Sequence, residues 1–455
     1  MKPSHRTPRK VSRRRFLQTT GAAVAAFHIG PAHMLGGSAG LAPSDKLNVA
    51  CIGIGNRGRV SVDACNAHNI VALCDVDDRQ VGDAYTKHPD AKKYRDYRKM
   101  LDELDKSIDA VTIGIPDHGH AVVAMDALRR NKHVYCEKPL AHSIREVRAL
   151  QKAARERKSI VQLGNQGHSS DSIRTFCEWV WDGAVGKVTE IHAFCDAFPQ
   201  VYCQVDKLPQ LAEKQDVPGG LDYDLWLGPA TYRPYSPLWV PFNWRGWMSF
   251  GTGCIGDWVC HVVDPSFWAL DLGLPSSIRA EVQGYDPKKH VDVYPKGVKI
   301  TFQFPAKGKR GPVKLVWFDG AERPPRPAQL DAGQDVPGTG AFVYGDQGTI
   351  VHGSHGASGC RLIPDAKMKE YKQPEKKIPR VADHHGDWFD AIRENRPAGS
   401  NFEYGGTLTE IGLLGAIAIR FPGVELKWDA EAMRFTNADE ANAFVSPPLR
   451  EGWTL

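Results

Sequence analysis

The stretch Gly53-Ile54-Gly55-Asn56-Arg57-Gly58 closes an apolar run that begins at Leu47. Glycines at this spacing, between a strand and a helix, admit few backbone shapes. The first permits a tight turn, the second lets a pyrophosphate approach the main chain, and the third lets helix and strand pack closely. The helix start then presents unpaired N–H groups to phosphate. Asp75 ends the next apolar run, residues 70–74. It follows Gly55 by about twenty residues, where an acidic side chain takes ribose hydroxyls and repels an added phosphate. The pattern predicts NAD in preference to NADP, held by Gly53, Gly55, Asn56, Arg57, Gly58 and Asp75. Asp77, Asp78 and Arg79 crowd the same turn.

The alternation continues. Residues 108–115 read as a buried strand ending at Pro116-Asp117-His118-Gly119-His120, and a helix follows over 121–130. The apolar run 134–136 stops at Glu137-Lys138-Pro139, and a helix over 143–157 leads to a strand over 159–163. Strands alternating with helices of these lengths specify a doubly wound parallel sheet, here over residues 46–165. Pro139 ends its strand because it has no N–H for the ladder, and a rigid Lys138–Pro139 bond would fix the direction of the lysine. A charged pair at the carboxyl end of a buried strand sits where open α/β sheets bind ligands. Pro116, His120, Glu137, Lys138, Asn165 and Gln166 fall at that edge and are predicted to line the cofactor site. His120 has the competing role of capping its helix.

After residue 165 the pattern changes to isolated strands, several with one wet face, as in Lys299-Ile300-Thr301-Phe302-Gln303-Phe304. Helices are expected over 173–181, 383–395 and 407–420. The fold class is therefore an α/β Rossmann-type doubly wound parallel sheet followed by an α+β domain with a largely antiparallel open sheet. The second domain spans 166–445, and 446–455 forms a tail. Residues 321–340 and 367–377 read as loops. An insertion over 198–250 is rich in Trp, Tyr and Pro. Long ordered loops are usually functional, and aromatic faces beside an arginine suit a sugar ring. Trp244, Arg245 and Trp247 are candidate substrate contacts, against the alternative that these aromatics pack the loop onto the body.

Arg6, Arg9, Lys10, Arg13, Arg14 and Arg15 supply much of the net charge of +5. Without them the body is near neutral, which gives no basic face for nucleic acid. Ser12-Arg13-Arg14-Arg15-Phe16-Leu17 precedes a short apolar run, too short for a stable membrane span. The head, residues 1–39, resembles a twin-arginine export signal with cleavage near Gly37-Ser38-Ala39. It implies the twin-arginine machinery as partner and a bacterial, periplasmic location. Of ten cysteines, Cys51, Cys74 and Cys136 lie in apolar strands, and none has C-x-x-C spacing. A disulfide among Cys177, Cys195 and Cys203 stays open.

Glycines at Gly251, Gly253 and Gly256 precede Asp257 and His261. On a helix, i and i+4 share a face, so the two make an acid/base site, a structural pair or two metal ligands. No further ligand cluster accompanies them, so no metal is expected.

Taken together, Gly53-x-Gly55-x-x-Gly58, Glu137-Lys138-Pro139 and Asp257-x-x-x-His261 resemble the Gfo/Idh/MocA oxidoreductases, over essentially the whole chain after the leader. His384-His385-Gly386-Asp387-Trp388-Phe389 and Leu426-Lys427-Trp428-Asp429 resemble their exported branch. The resemblance implies an NAD(P)-dependent enzyme acting on a sugar, cyclitol or glycoside hydroxyl. Lys138, Asp257 and His261 would be catalytic, with Asp257 and His261 also touching substrate, and a homo-oligomer is implied. Export implies a cofactor that stays bound and is regenerated in place. A redox-neutral, NAD-dependent glycosidase is the alternative, with His168 and Tyr202 or Tyr223 as extra acid/base groups and His168 in contact with substrate. A non-catalytic NAD-binding protein is a third reading, against which the intact catalytic set argues.

Overall fold

The computed structural model describes residues 41–455. The leader over 1–39, with its twin arginines, lies outside the described residues. The first sheet contains β1 (Asn48–Ile52), β2 (Asn69–Cys74), β3 (Lys92–Tyr94), β4 (Ala110–Ile113), β5 (His133–Glu137) and β6 (Val161–Gly164). Its order is β3-β2-β1-β4-β5-β6, and every pairing is parallel. Alternate residues of β1 enter separate cores, Ala50 and Ile52 one, Val49 and Cys51 the other. A strand buried on both faces reads as a continuous apolar run. β3 reads Lys-Lys-Tyr and escapes that signal, as a short charged edge strand does.

Connecting helices are α1 (Asn56–Ala64), α2 (Tyr97–Leu104), α3 (Asp117–Arg129) and α4 (Ile144–Arg157). α4 starts at a capping box in which Ser143 and Glu146 satisfy each other's backbone N–H groups. The strand order reverses between β1 and β4, which opens a crevice at their carboxyl ends.

The second sheet contains β7 (Val188–Cys195), β8 (Ser277–Gln283), β9 (Gly297–Phe304), β10 (Val313–Gly320), β11 (Thr339–Gly345), β12 (Gly348–Gly353), β13 (Arg361–Ile363), β14 (Glu425–Asp429) and β15 (Arg434–Phe435). Its order is β13-β12-β11-β7-β10-β9-β8-β14-β15. Only β7 and β10 run parallel; the other neighbours are antiparallel. The longer helices here are α5 (Asp171–Trp181), α6 (Gly253–Val262), α7 (Asp264–Leu270), α8 (His384–Glu394) and α9 (Phe402–Ile419). α9 begins five residues before the periodic run at Thr407, because Asn401 caps it by accepting from the Glu403 and Tyr404 N–H groups.

One expectation is corrected, and one open question is answered. The loop expected over 367–377 begins inside a short helix, Asp365–Glu370. Cys177, Cys195 and Cys203 are all free thiols, two of them buried as small hydrophobes. The insertion folds around its own core of Trp226, Trp239, Trp247 and Phe250. Among the described residues no helix is long and apolar enough to cross a membrane.

Candidate active site

A cavity occupies the crevice at the β1/β4 reversal. Gly53, Gly55, Asn56 and Arg57 form one wall, Asp75 and Pro116 stand at strand ends, and Lys138 and Asp257 line the same cavity. The glycine wall leaves no room for side chains. Gly53 has φ +72°, and a Cβ on Gly58 would lie 1.9 Å from the Gly53 carbonyl oxygen. The Asp75 carboxylate accepts from the N–H groups of Ile54, at 2.9 Å, and Asp77, at 3.0 Å. Burial raises its pKa, and those N–H bonds oppose the rise. Asp75 therefore braces the glycine turn it faces. Arg79 is forked onto Asp77 at 2.7 and 2.6 Å, so its charge is already met. A backbone cradle, a helix start and a strand-end carboxylate fit a dinucleotide.

At the end of β5, Glu137 turns back toward the cradle. Its Oε1 accepts from Arg57 at 3.1 Å and from Gln166 at 2.9 Å. Its Oε2 is buried without a protein partner, an oxygen left for a ligand hydroxyl. The Lys138–Pro139 peptide is cis. The Lys138 ammonium donates to the Asp257 carboxylate and, at 3.1 Å, to the Asp257 carbonyl. Asp257 also accepts from the Tyr202 hydroxyl and faces Arg245 Nε at 3.4 Å. Burial alone would raise the Asp257 pKa. Lys138, Arg245 and the Tyr202 bond reverse that and hold it below its usual value. The pair is thus a charged ammonium–carboxylate contact. His261 lies one turn further along α6, buried, with its ring 4.1 Å from that of His355. Burial, then Lys138 and His355, push its pKa well below 6.5, leaving a neutral imidazole able to accept a proton.

Other expected site residues sit elsewhere. The His120 ring nitrogens lie 2.7 and 2.8 Å from the Pro139 and Ile115 carbonyl oxygens. The ring ties two strand ends together and does not line the cavity. Asn165 donates to Asp264 at 3.1 Å, and His168 Nδ1 lies 3.1 Å from the same carboxylate. Both are buried. Gln166 reaches the site through Glu137 and the Tyr135 hydroxyl. Trp244 and Arg245 line the cavity, but Trp247 is fully buried in the insertion core and donates to the Leu238 carbonyl at 3.1 Å. Of the two tyrosines considered, Tyr202 reaches Asp257, whereas the Tyr223 hydroxyl donates to the Pro234 carbonyl. Among the described residues no cluster of three or more His, Cys, Asp or Glu could hold a metal.

Three residues escaped the sequence reading. Trp453, in the tail, lines the cavity, lies under the Arg98 guanidinium at 4.7 Å and meets the Tyr97 ring at a tilt of 38°; nothing local marks it. His355 sits in a Gly-Ser-His-Gly-Ala stretch that signals only a turn. Asp117 follows Pro116 at the start of α3, which was a usable signal. Its carboxylate accepts from the Thr252 N–H at 3.2 Å and hydroxyl at 2.9 Å, tying α3 to the start of α6. Burial, then the neighbouring Asp257, push its pKa up to about 7.

A carboxyl raised on folding keeps a proton that the unfolded chain has released. Its contribution is therefore greatest at low pH and is lost as pH rises from about 4 to about 7, at about 1.4 kcal/mol per unit. Asp117→Asn should remove that loss. Its melting temperature relative to wild type should be higher at pH 7.5 than at pH 5, and an unchanged difference would contradict the assignment.

Residues 47–165 match the GFO_IDH_MocA family model, described as an oxidoreductase family, NAD-binding Rossmann fold. Residues 201–455 match the companion C-terminal alpha/beta domain of that family. The chain is 25% identical over 195 residues to a levoglucosan dehydrogenase of Pseudarthrobacter phenanthrenivorans, covering 43% of this chain and 40% of that protein. It is 29% identical over 152 residues to an inositol 2-dehydrogenase of Salmonella paratyphi B, covering 32% and 45%. The chain thus spans less than half the length of these two relatives. A solved levoglucosan dehydrogenase in complex with NADH superposes with TM-score 0.54 at 18% identity, over 82% of this chain and 97% of that one. At that identity the likeness is one of fold.

Proposed function

From the membership of this chain in the Gfo/Idh/MocA oxidoreductase family, we propose that it oxidises a sugar, cyclitol or glycoside hydroxyl with NAD that stays bound through turnover. One observation carries the reading: the Lys138 ammonium, held by Asp257, opens onto the same cavity as the glycine cradle. Relatives named for levoglucosan and inositol support the polyol class.

The cradle from Gly53 to Gly58 and the first turn of α1 would hold the pyrophosphate, Asp75 a ribose, and Glu137 Oε2 a further hydroxyl. Bound NAD supplies a hydride acceptor. Lys138 polarises the substrate oxygen, and His261, neutral, takes the hydroxyl proton. Asp257 fixes the lysine by accepting from its ammonium. Trp244 and Arg245 shape the substrate end. The insertion and tail contribute to the cavity wall, with Trp226, Phe242 and Trp453 among its lining residues. Backbone bonds from Asp78 to Gly220 and from Asp222 to Val76 tie the insertion to the turn after Asp75. A retained cofactor suits an exported enzyme, and the leader, residues 1–39, makes export and a periplasmic location part of this proposal. A homo-oligomer belongs to it by resemblance only.

The Tyr202 hydroxyl on Asp257 favours one second reading, the redox-neutral glycosidase, which needs an extra proton-carrying group. Purified protein is incubated with polyols, and separately with aryl glycosides, without added NAD. NADH absorbance that rises once and stalls supports the dehydrogenase. Repeated aglycone release supports the glycosidase. Neither signal, with NAD present by mass spectrometry of the denatured protein, sinks both. Trp453→Ala should speed NADH release about tenfold, the loss of one aromatic contact, read by fluorescence after dilution; an unchanged rate rejects the role of the tail in retention.

A further inference from the structure

We propose that His355 is a positioning residue for the base: its ring, stacked on His261, sets the direction in which His261 meets substrate. This rests on the reading that His261 takes the hydroxyl proton.

A reactive imidazole is commonly oriented by a hydrogen bond at its other nitrogen. His261 lacks that support on one side, since its Nδ1 is buried with no partner. Its ring is held by aromatic contact. His355 lies parallel at 4.1 Å and 19°, and Trp258 stands edge-on to His261 at 5.7 Å and to His355 at 5.6 Å. Trp258 is itself anchored, donating to the Tyr202 hydroxyl at 2.9 Å. One aromatic frame therefore connects the base to the hydroxyl on Asp257.

The loop that delivers His355 is under strain. His355 has φ +54° and Ala357 φ +60°, in the left-handed region that residues with a Cβ seldom adopt. Such strain persists where the surroundings over-determine it, and it clusters at functional sites. The surroundings do so here. Gly356 lies against Gly167 in the turn after β6: a Cβ on Gly356 would fall 2.0 Å from the Gly167 carbonyl oxygen. The hydroxyls of Ser170 and Ser172 donate to the Gly356 carbonyl at 3.1 and 2.6 Å. Gly356 and Ala357 are buried while His355 is exposed, with its ring laid over that of His261.

The charged and titratable groups bearing on His261 come from several elements. Lys138 ends β5, Arg57 lies on α1, His384 starts α8 and His355 follows β12; Asp257 precedes it by one turn on α6. After burial, Lys138, His355, Arg57 and His384 all disfavour the imidazolium. His355 is itself lowered by burial and then by Lys138 and Arg57, so the stack joins two neutral rings.

The test compares His355→Asn, which suits φ > 0 but lacks the ring, with His355→Phe, which keeps a ring without nitrogens. In NAD-loaded protein, kcat for the polyol should fall about 10- to 100-fold in His355→Asn, as for a misaligned catalytic group, with KM changing less. His355→Phe should keep most of the activity. NMR titration of His261 gives a readout independent of turnover. Its pKa should rise toward the usual histidine value in His355→Asn and rise less in His355→Phe. If His355→Asn does not fold, His355→Gly, which relieves the backbone, takes its place. Unchanged kcat and unchanged His261 titration in the ringless variant overturn the proposal, as does equal loss in both variants. If wild type turns over no polyol, the functional reading fails, and the titration alone still decides whether the stack governs His261.

Discussion

Replacing Lys138 with alanine should lower turnover by about 10²- to 10⁴-fold, the usual range for removing a positioned proton-transfer or polarising group, while NAD remains bound. The side chain is only 15% exposed and its partner Asp257 7%, so the pair acts in a poorly solvated place where charge contacts are strong. The same burial gives the variant a second effect. Among the described residues Asp257 would keep Arg245, at 3.4 Å, as its ion-pair partner. Stranding one member of a buried ion pair costs about 3–5 kcal/mol, so the melting temperature should also fall. The two effects separate through NADH fluorescence titration, because the glycine cradle lies on other elements. Asp257→Asn is the companion variant, keeping an acceptor for Lys138 and Tyr202 but not the charge. Turnover by Lys138→Ala equal to wild type, with NAD bound, would remove Lys138 from the chemistry and revive the non-catalytic reading.

Gly58→Ala should cost the protein its cofactor. The added Cβ would lie 1.9 Å from the Gly53 oxygen and 3.3 Å from the Gly114 oxygen. Both are backbone, and neither can swing aside as a side chain would. Overpacking of this kind costs about 1–3 kcal/mol, which at 1.4 kcal/mol per tenfold weakens NAD binding by roughly 5- to 150-fold. Gly53 would have to move, yet its N–H is held by the Cys74 carbonyl at 2.8 Å. The strain therefore passes to β2 and Asp75 as well as to the phosphate cradle. Gly311→Ala is the control, since its Cβ would meet no atom within 4 Å. NAD content of the purified variants, by mass spectrometry after denaturation, reads the result. Full NAD content in Gly58→Ala would mean the cradle does not hold the pyrophosphate.

The parallel sheet was legible because its inner strands are largely apolar on both faces and Gly, Pro or Asp follow at their carboxyl ends. The edge strand Lys92–Tyr94 was not, since an exposed charged tripeptide has no period to detect. Glycine spacing marked the cradle, and Glu137-Lys138-Pro139 marked the lysine, because both depend on consecutive residues. Trp247 and Arg245 could not be told apart in sequence. They are two residues from each other, yet one is fully buried in the insertion core and the other faces Asp257. His168 carries the chemistry expected of a site residue, but Asp264 and the stacked Trp268 enclose it away from the cavity.

The sequence by itself determined what lies within a few residues along the chain: the phosphate turn, the strand-end acid and lysine, and the shared helical face of Asp257 and His261. These follow from local backbone geometry and from periods of two and 3.6 residues. Only the tertiary structure decided what crosses long stretches of chain. Lys138 meets Asp257, Asp117 meets Thr252, His261 meets His355, and Trp453 reaches a cavity whose glycine wall begins at Gly53. Such contacts depend on how two sheets and an insertion pack together, and packing leaves no periodic mark on either of the segments that it joins.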